Sequence, residues 1–389
     1  MHAMKKTMLA AAAALGATAA CAADVTVYGL VDYGLMYTGT DNGSNTSHVT
    51  EMTSGKNLGS RFGFKGSEDL GNGVKVGFIL ENGFSADTGA LPSNGKIFDR
   101  ESTIYLEGNF GNLKFGRMTR LTGSTGSSCI YAGNIAPIST GYGDSIPGYN
   151  AVFAGNLLRY DNVAMYTTPD FAGLKLYLQY SGGYDVDEDE GEVENQSSTN
   201  RFYALGMSYK NGPFNMAGAV ERFNWKSYNL TADERELDDG LVVSAGGAYD
   251  FEVVKLFLMG VYFDHMPLSM GFFGDENKFT VGNEEFRNED LQGFGINTGI
   301  NAPVLGGNLR LSLTYMNAEP STQVAADFEV DRCNVTVGWE DKLSKRTTLY
   351  LGAAWTQDDY QVVEATRYSA TGTASRRPSG LRKTRFSSN

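Results

Sequence analysis

Apolar and polar residues alternate with a period of two over many stretches of this chain, the spacing of a strand with two unlike faces. In the first stretch Val25, Val27, Gly29, Val31, Tyr33, Leu35 and Tyr37 share one face. In SRFGFKGSEDLG, Phe62 and Phe64 oppose Arg61 and Lys65. Val74, Val76, Phe78 and Leu80 oppose Lys75, Gly77, Ile79 and Glu81. Leu174, Leu176, Leu178 and Tyr180 form another such row, as do Leu309, Leu311, Leu313 and Tyr315, and Leu349, Leu351, Ala353 and Trp355. Several rows begin with aliphatic residues after a short turn and end in Tyr180, Tyr315 or Trp355; Tyr262 closes a fourth after Val254, Leu256 and Leu258. An apolar band closed by an amphipathic ring suits a membrane interface. The competing reading is a β-sandwich with aromatic strand ends.

The spacing of turns decides between them. Short turns fall at 69–73, 109–112, 169–173, 210–213, 249–252, 303–307 and 341–345. Long polar connections occupy 38–57, 84–99, 118–156, 181–200, 224–240, 263–292, 317–330 and 357 onward. Seven hairpins, a first strand near Asp24–Tyr37 and a closing strand make about sixteen strands, with short turns at one end and long loops at the other. The expected fold is all-β: a transmembrane antiparallel 16-stranded β-barrel. Backbone in lipid must satisfy its hydrogen bonds internally, so its strands have to close into a barrel. A barrel of this size encloses water, so polar residues are expected inside and apolar residues outside.

Composition adds a compartment. Lys5 and Lys6, the apolar run Met8–Ala20 and the small-residue site Ala20-Cys21-Ala22 read as a secretory signal over residues 1–22, implying export by the Sec pathway. Residues 23–389 are then the barrel. No later segment approaches 18 uninterrupted apolar residues, so no transmembrane helix is expected. Gly is abundant at 48 and Pro scarce at 9, as suits strands joined by many turns. Cys129 and Cys333 are too few and too far apart for a disulfide framework. The formal net charge of −13 argues against a nucleic-acid partner.

The stretches DVTVYGLVDYGLMYTG, SRFGFKGSEDLGNGVKVGFILENGFSADTG, FDRESTIYLEGNFGNLKFGRM and RYDNVAMYTTPDFAGLKLYLQYS resemble successive hairpins of the general diffusion porins of Gram-negative outer membranes. The likeness is specific over residues 24–180 and continues in pattern to about residue 360. It implies an outer-membrane homotrimer that passes ions and small hydrophilic solutes passively. It also implies a third loop folded into the barrel, where wall arginines face acids on that loop. Outer-membrane lipid and lipopolysaccharide are the surroundings it implies. A barrel whose surface loops mainly serve adhesion or partner binding is the alternative.

On that resemblance Arg61, Arg100 and Arg159 match wall arginines, with Arg117 a fourth candidate. Alternation with Phe62 and Phe64 independently turns Arg61 toward the lumen. Arg100 shares a phase with Ile104 and Leu106, so an inward side chain there requires a bulge or a loop end. Arg117 shares its phase with Leu113 and Phe115. Lys65, Lys75 and Glu81 are further lumen-facing positions. The third loop, roughly Thr119–Asn156, departs from the family pattern because its only acid is Asp144. Its constriction is therefore expected to favour cations less than the net charge suggests.

Chemistry elsewhere is sparse. The segment YDVDEDEGEVEN (184–195) carries seven acids, but Glu190 stands where a calcium loop requires its sharp-turn glycine. No catalytic constellation, metal-ligand spacing or phosphate-binding loop is found, so neither an enzyme nor a cofactor is expected. The last strand, about 370–389, is atypical. Arg376, Arg377, Arg382, Lys383 and Arg385 crowd it, Pro378 interrupts it, and Phe386 is not terminal. A weakened last strand is expected, or a frame error near residue 372.

Overall fold

A computed structural model describes residues 24–41, 46–91, 96–132, 134–138, 159–186, 191–228, 230, 236–267, 278–281, 284–287, 290–321, 327–363 and 383–388. The expected signal segment lies outside them. The first strands are β1 (Asp24–Leu30), β2 (Tyr33–Asp41), β3 (Thr46–Ser54), β4 (Arg61–Gly71), β5 (Val74–Gly83), β6 (Glu101–Gly108) and β7 (Gly111–Thr119). Then come β8 (Arg159–Thr167), β9 (Leu174–Ser181), β10 (Arg201–Asn211), β11 (Phe214–Asn224), β12 (Gly240–Asp250) and β13 (Lys255–Met266). A small separate hairpin follows, β14 (Lys278–Val281) with β15 (Glu284–Arg287). The wall resumes with β16 (Leu291–Val304), β17 (Gly307–Pro320), β18 (Asp327–Lys342), β19 (Thr348–Val363) and β20 (Lys383–Ser388).

Eighteen of these segments form one sheet in which each strand pairs antiparallel with its neighbours. The hydrogen-bonded path runs from β1 through β4 to β13, on through β16 to β20, and then through β2 to β3. Its two ends are joined covalently, because β1 runs on into β2 and β3 into β4. The first two staves are thus each divided once, and eighteen segments make the sixteen staves expected. All seven short turns fall where the sequence places them. The first long connection, expected at 38–57, is instead mostly strand: β2 and β3 pair from Tyr33↔Ser54 to Asp41↔Thr46.

The division of the first two staves has a local cause. Leu30 faces Arg61, and Tyr33 faces Ser54, so Val31 and Asp32 oppose the six residues 55–60. This is an enlarged bulge, and Asp32 organises it. Its carboxylate accepts the amides of Asn57 (3.1 Å) and Leu58 (2.7 Å), and its carbonyl accepts the amide of Gly55 (3.1 Å). Asp32 also accepts the hydroxyl of Tyr350 on β19 (2.6 Å). That bond matters because β20 is short. It pairs with Thr356–Gln361 of β19 and with Thr40 and Asp41 of β2. Among the described residues no strand pairs with Thr348–Trp355 on that side, so the Tyr350–Asp32 bond ties the short-turn half of the seam.

The outer face is apolar. Phe64, Leu80, Phe78, Ile104 and Phe115 lie on this side by register, and Phe62, Leu178, Leu205, Leu258 and Leu351 are exposed there. Tyr180, Tyr262, Tyr315 and Trp355 end their rows as expected, all exposed. The inner face follows the polar expectation only in part. On β16 to β19 it carries Asn297, Ser312, Thr314, Asn334, Thr336 and Thr356. On β10 to β13 it carries buried Ala204, Ala217, Ala219, Phe257, Met259, Val261 and Phe263 instead. The reason is the third loop, which covers this wall and replaces water there.

Candidate functional site

The third loop leaves β7 at Thr119 and turns against the inner wall. Arg120 pairs with Glu221 of β11 at 3.5 Å, and both side chains are completely buried. The Thr122 hydroxyl donates to the same carboxylate at 2.8 Å, and the Arg120 guanidinium lies 5.6 Å from the Phe223 ring centre. Burying an ion pair requires such extra partners, because desolvation otherwise cancels the attraction. Gln179 of β9 works as a clip: its Oε1 accepts the amide of Leu121 (3.0 Å), and its Nε2 donates to the carbonyl of Thr119 (3.1 Å). Tyr131 hydrogen bonds with the Ser244 hydroxyl of β12 at 2.7 Å.

Apolar packing extends this attachment across the wall. Leu121, Ile130, Tyr131, Ile135 and Ala136 join one buried cluster with the inner residues of β10 to β13. Gly206 makes room for the loop: a Cβ there would stand 2.6 Å from the Leu121 side chain. Ile135 lies over Gly246 and Pro137 over Gly299, so the described loop spans from β7 to β16. Residues 120–138 contain no carboxylate. Asp144, the one acid expected in this loop, lies outside the described residues.

An arginine cluster occupies β4, the entry to β6 and the start of β8. Glu81 is its hub. Arg100 Nε donates to Glu81 at 2.7 Å, Arg61 lies 3.7 Å from the same oxygen, and the Tyr28 hydroxyl donates to the other at 3.0 Å. Arg159 Nε donates to the carbonyl of Arg100 at 2.8 Å, and its Nη2 to the Thr125 hydroxyl of the third loop at 3.1 Å. Asp99 is the nearby second acid, and its carboxylate accepts the amide of Gly83 at 2.7 Å. Arg61 Nε and Arg100 Nη2 are buried without a hydrogen-bond partner. Glu101, opposite Glu81, is a third acid and pairs with Lys114 at 3.4 Å. Four cations then face three carboxylates among the described residues, and this spot carries positive potential.

Register settles which way each candidate faces. Gly63 pairs with Glu81 and with Tyr28, so Arg61, Lys65, Tyr28 and Glu81 share the inner face. Lys65 stacks 5.5 Å from the Tyr28 ring centre, and Lys75 opposes Glu107 further toward the short turns. Arg100 sits in the connection just before Glu101, a loop-end position free of the strand's alternation. Arg117 is different. It pairs with Ser102, which pairs with Leu80 on the apolar side. It donates to the carbonyl of Asp99 and to Asp161 on that side, away from the Arg61 row. The hub role of Glu81 and the Arg120–Glu221 latch are not visible as motifs. Alternation gives the face of Glu81, but only cross-strand register shows what meets it.

Comparison with known proteins agrees with this architecture. The chain matches the Gram-negative porin family over residues 9–361. It is 31% identical to an outer membrane porin protein of Bordetella pertussis, over 95% of this chain and 98% of that protein. An anion-selective porin from Comamonas acidovorans superposes with a TM-score of 0.59 at 23% identity, covering 86% of this chain and 89% of the other. The outer membrane protein OmpT of Vibrio cholerae, in a trimer form, superposes with a TM-score of 0.56 at 14% identity, covering 94% and 97%. A closed antiparallel sheet with an apolar outside, a loop packed inside and a match over most of the length place this chain in the Gram-negative porin family, as an outer-membrane channel for passive diffusion.

Proposed function

We propose that Arg61, Arg100 and Arg159 form the charged wall of the constriction and bias the channel toward small anions. The observation that carries this is the Glu81 hub, where one carboxylate meets two guanidinium groups at 2.7 and 3.7 Å while Arg159 bonds across to the third loop. The described part of that loop offers no carboxylate to balance them. A ring of one sign at a narrow point selects the opposite ion. The Comamonas acidovorans neighbour is named as anion-selective, which is in keeping with this reading. Arg117 stands outside the constriction in it. Small hydrophilic anions are the solutes the channel favours, and no catalytic step is assigned to it.

The assembly is read as a homotrimer, as in the trimer form of the Vibrio cholerae neighbour, with lipid and lipopolysaccharide covering its outer face. Residues 1–22 act as the export signal. The test of selectivity is the reversal potential of purified protein in planar bilayers under a potassium chloride gradient. The wild type is expected to favour chloride. Arg61→Gln is expected to shift the permeability ratio toward potassium by about twofold to fivefold, from a Coulomb energy of about 0.5–1 kcal/mol in a water-like medium. A wild-type channel that favours potassium, with a ratio untouched by Arg61→Gln, overturns the proposal.

A further inference from the structure

The seam between β2 and β19 is open along its short-turn half. β20 pairs only with Thr356–Gln361 of β19 and with Thr40 and Asp41 of β2. Beyond it, Tyr33–Gly39 has β3 on one edge and Thr348–Trp355 has β18 on one edge. Their other edges face each other across a slot, and among the described residues no strand lies between them. Leu35 and Leu351 flank the slot and are 77% and 74% exposed, with Gly352 and Ala353 exposed beside them.

Register gives the slot its size. Ser388 of β20 pairs with both Thr356 and Thr40. Five places further down each strand, Leu351 and Leu35 flank one outward position. At the next place Tyr350 and Gly34 flank an inward one. The contact between them fits this count: a Cβ on Gly34 would stand 3.5 Å from the Tyr350 hydroxyl, which reaches on to Asp32. The slot is therefore one strand wide, about 4.8 Å from each neighbour, and it is as long as Thr348–Trp355.

An open sheet edge is not tolerated against lipid, because its N–H and C=O groups find no partners there. An acyl chain offers none. An extended peptide offers a row on each of its own edges, one for each neighbour. β20 is antiparallel to both β2 and β19, so a strand in the slot runs in the direction of β20. Its outward residues lie between Leu35 and Leu351 and between Tyr33 and Leu349, and are apolar. Its inward residue beside Tyr350 is small, because that side chain crosses the slot to Asp32. Residues 364–382 carry no alternating row of large apolar residues and include Pro378, which cannot donate to a ladder.

We infer that this slot binds an extended segment of another polypeptide by strand addition, with apolar residues at alternate positions and a small residue beside Tyr350. The inference is independent of the anion-selectivity reading, which reversal potentials test.

The test adds a fluorescein-labelled octapeptide to the purified full chain in detergent and follows anisotropy. The peptide has valine at its odd positions, glycine at the sixth and serine at the other even ones. Saturable binding of one peptide per chain is expected. N-methylation of alternate amides removes one row of donors and is expected to weaken binding at least about tenfold. Phenylalanine in place of the sixth glycine is expected to weaken it about tenfold as well, and Tyr350→Ala to restore tolerance of that ring. A photoreactive benzoylphenylalanine at position 351 is expected to cross-link to the peptide. No saturable binding, or equal binding of the N-methylated peptide, overturns the inference. So does rejection of the phenylalanine peptide that is the same in wild type and Tyr350→Ala. Cross-linking of position 351 to residues 364–382 in the absence of peptide also overturns it, since the chain would then fill its own slot.

Discussion

Asp185, an exposed residue of a long loop, shows how one side chain ties that loop to pH. It follows Tyr184 beyond the end of β9, and its carboxylate accepts the Asn200 amide at 2.7 Å. Partial desolvation by the surrounding loop raises its pKa to about 6, helped by the charge of Glu192 and opposed by the Asn200 bond and by Lys226. The folded loop therefore binds the proton more tightly than the unfolded loop does. Stability contributed by this group is fully present below about pH 4, the unfolded value, and is lost as pH rises through about 6. Protease cleavage between residues 184 and 200 is expected to be slower at pH 5 than at pH 7.5, and Asp185→Asn is expected to flatten that difference. An identical pH response in the variant would show that another group controls it. At this scale legibility was uneven. Alternation alone turned Arg61 inward and gave Arg117 the phase of Phe115, which register bears out. Arg100 needed a loop end that no pattern announces, and Glu221 sat unmarked in a strand of mixed character.

At the scale of elements, the third loop and the seam decide what the barrel can do. The loop is fixed by a buried pair, so its loss is costly: Glu221→Gln leaves Arg120 buried without a counter-charge, a change worth about 3–5 kcal/mol where the group cannot reach water. The loop is expected to detach from the wall rather than the barrel to unfold, because the strand ladder does not depend on that pair. Single-channel recordings are expected to show altered and noisier conductance while the unheated protein keeps wild-type mobility on gels; quiet wild-type steps would show that apolar packing alone holds the loop. The seam behaves differently. Tyr350→Phe removes a hydrogen bond to the Asp32 carboxylate, of a kind worth about 1.5–3 kcal/mol. It is expected to lower the temperature at which unheated protein loses its folded mobility on gels, with conductance unchanged. The staves and short turns could be read because period-two alternation and Gly-rich turns are local signals. The Asp32 bulge could not, since its six residues 55–60 are organised by a carboxylate across the hairpin and by Tyr350, 318 positions away. The apolar inner wall of β10 to β13 was hidden for a related reason: alternation marks a strand, but not the loop that returns to cover it.

The whole molecule sets two electrostatic fields against each other. The formal net charge is −13, yet Arg61, Arg100 and Arg159, the proposed wall of the constriction, gather around Glu81 and the third loop. Much of the acid lies in polar loops, such as the seven carboxylates of residues 184–195, while the arginines stand on the inner wall that ions must pass. Range separates the two. Mobile ions screen exposed charges over about 30 Å at 0.01 M, 10 Å at 0.1 M and 3 Å at 1 M. At 0.01 M the loop acids reach the permeation path and oppose the arginines, so chloride preference is expected to be weak. Near 0.1 M the distant acids are screened while the arginines still act on an ion within a few ångströms, and the preference is expected to be greatest. Near 1 M it falls again as the arginines are themselves screened. Reversal potentials at one fixed concentration ratio, repeated at the three mean salt concentrations, are therefore expected to pass through a maximum. A chloride preference that falls steadily from the lowest salt would mean that the loop acids do not reach the path, and that the arginine cluster alone sets the sign at every ionic strength.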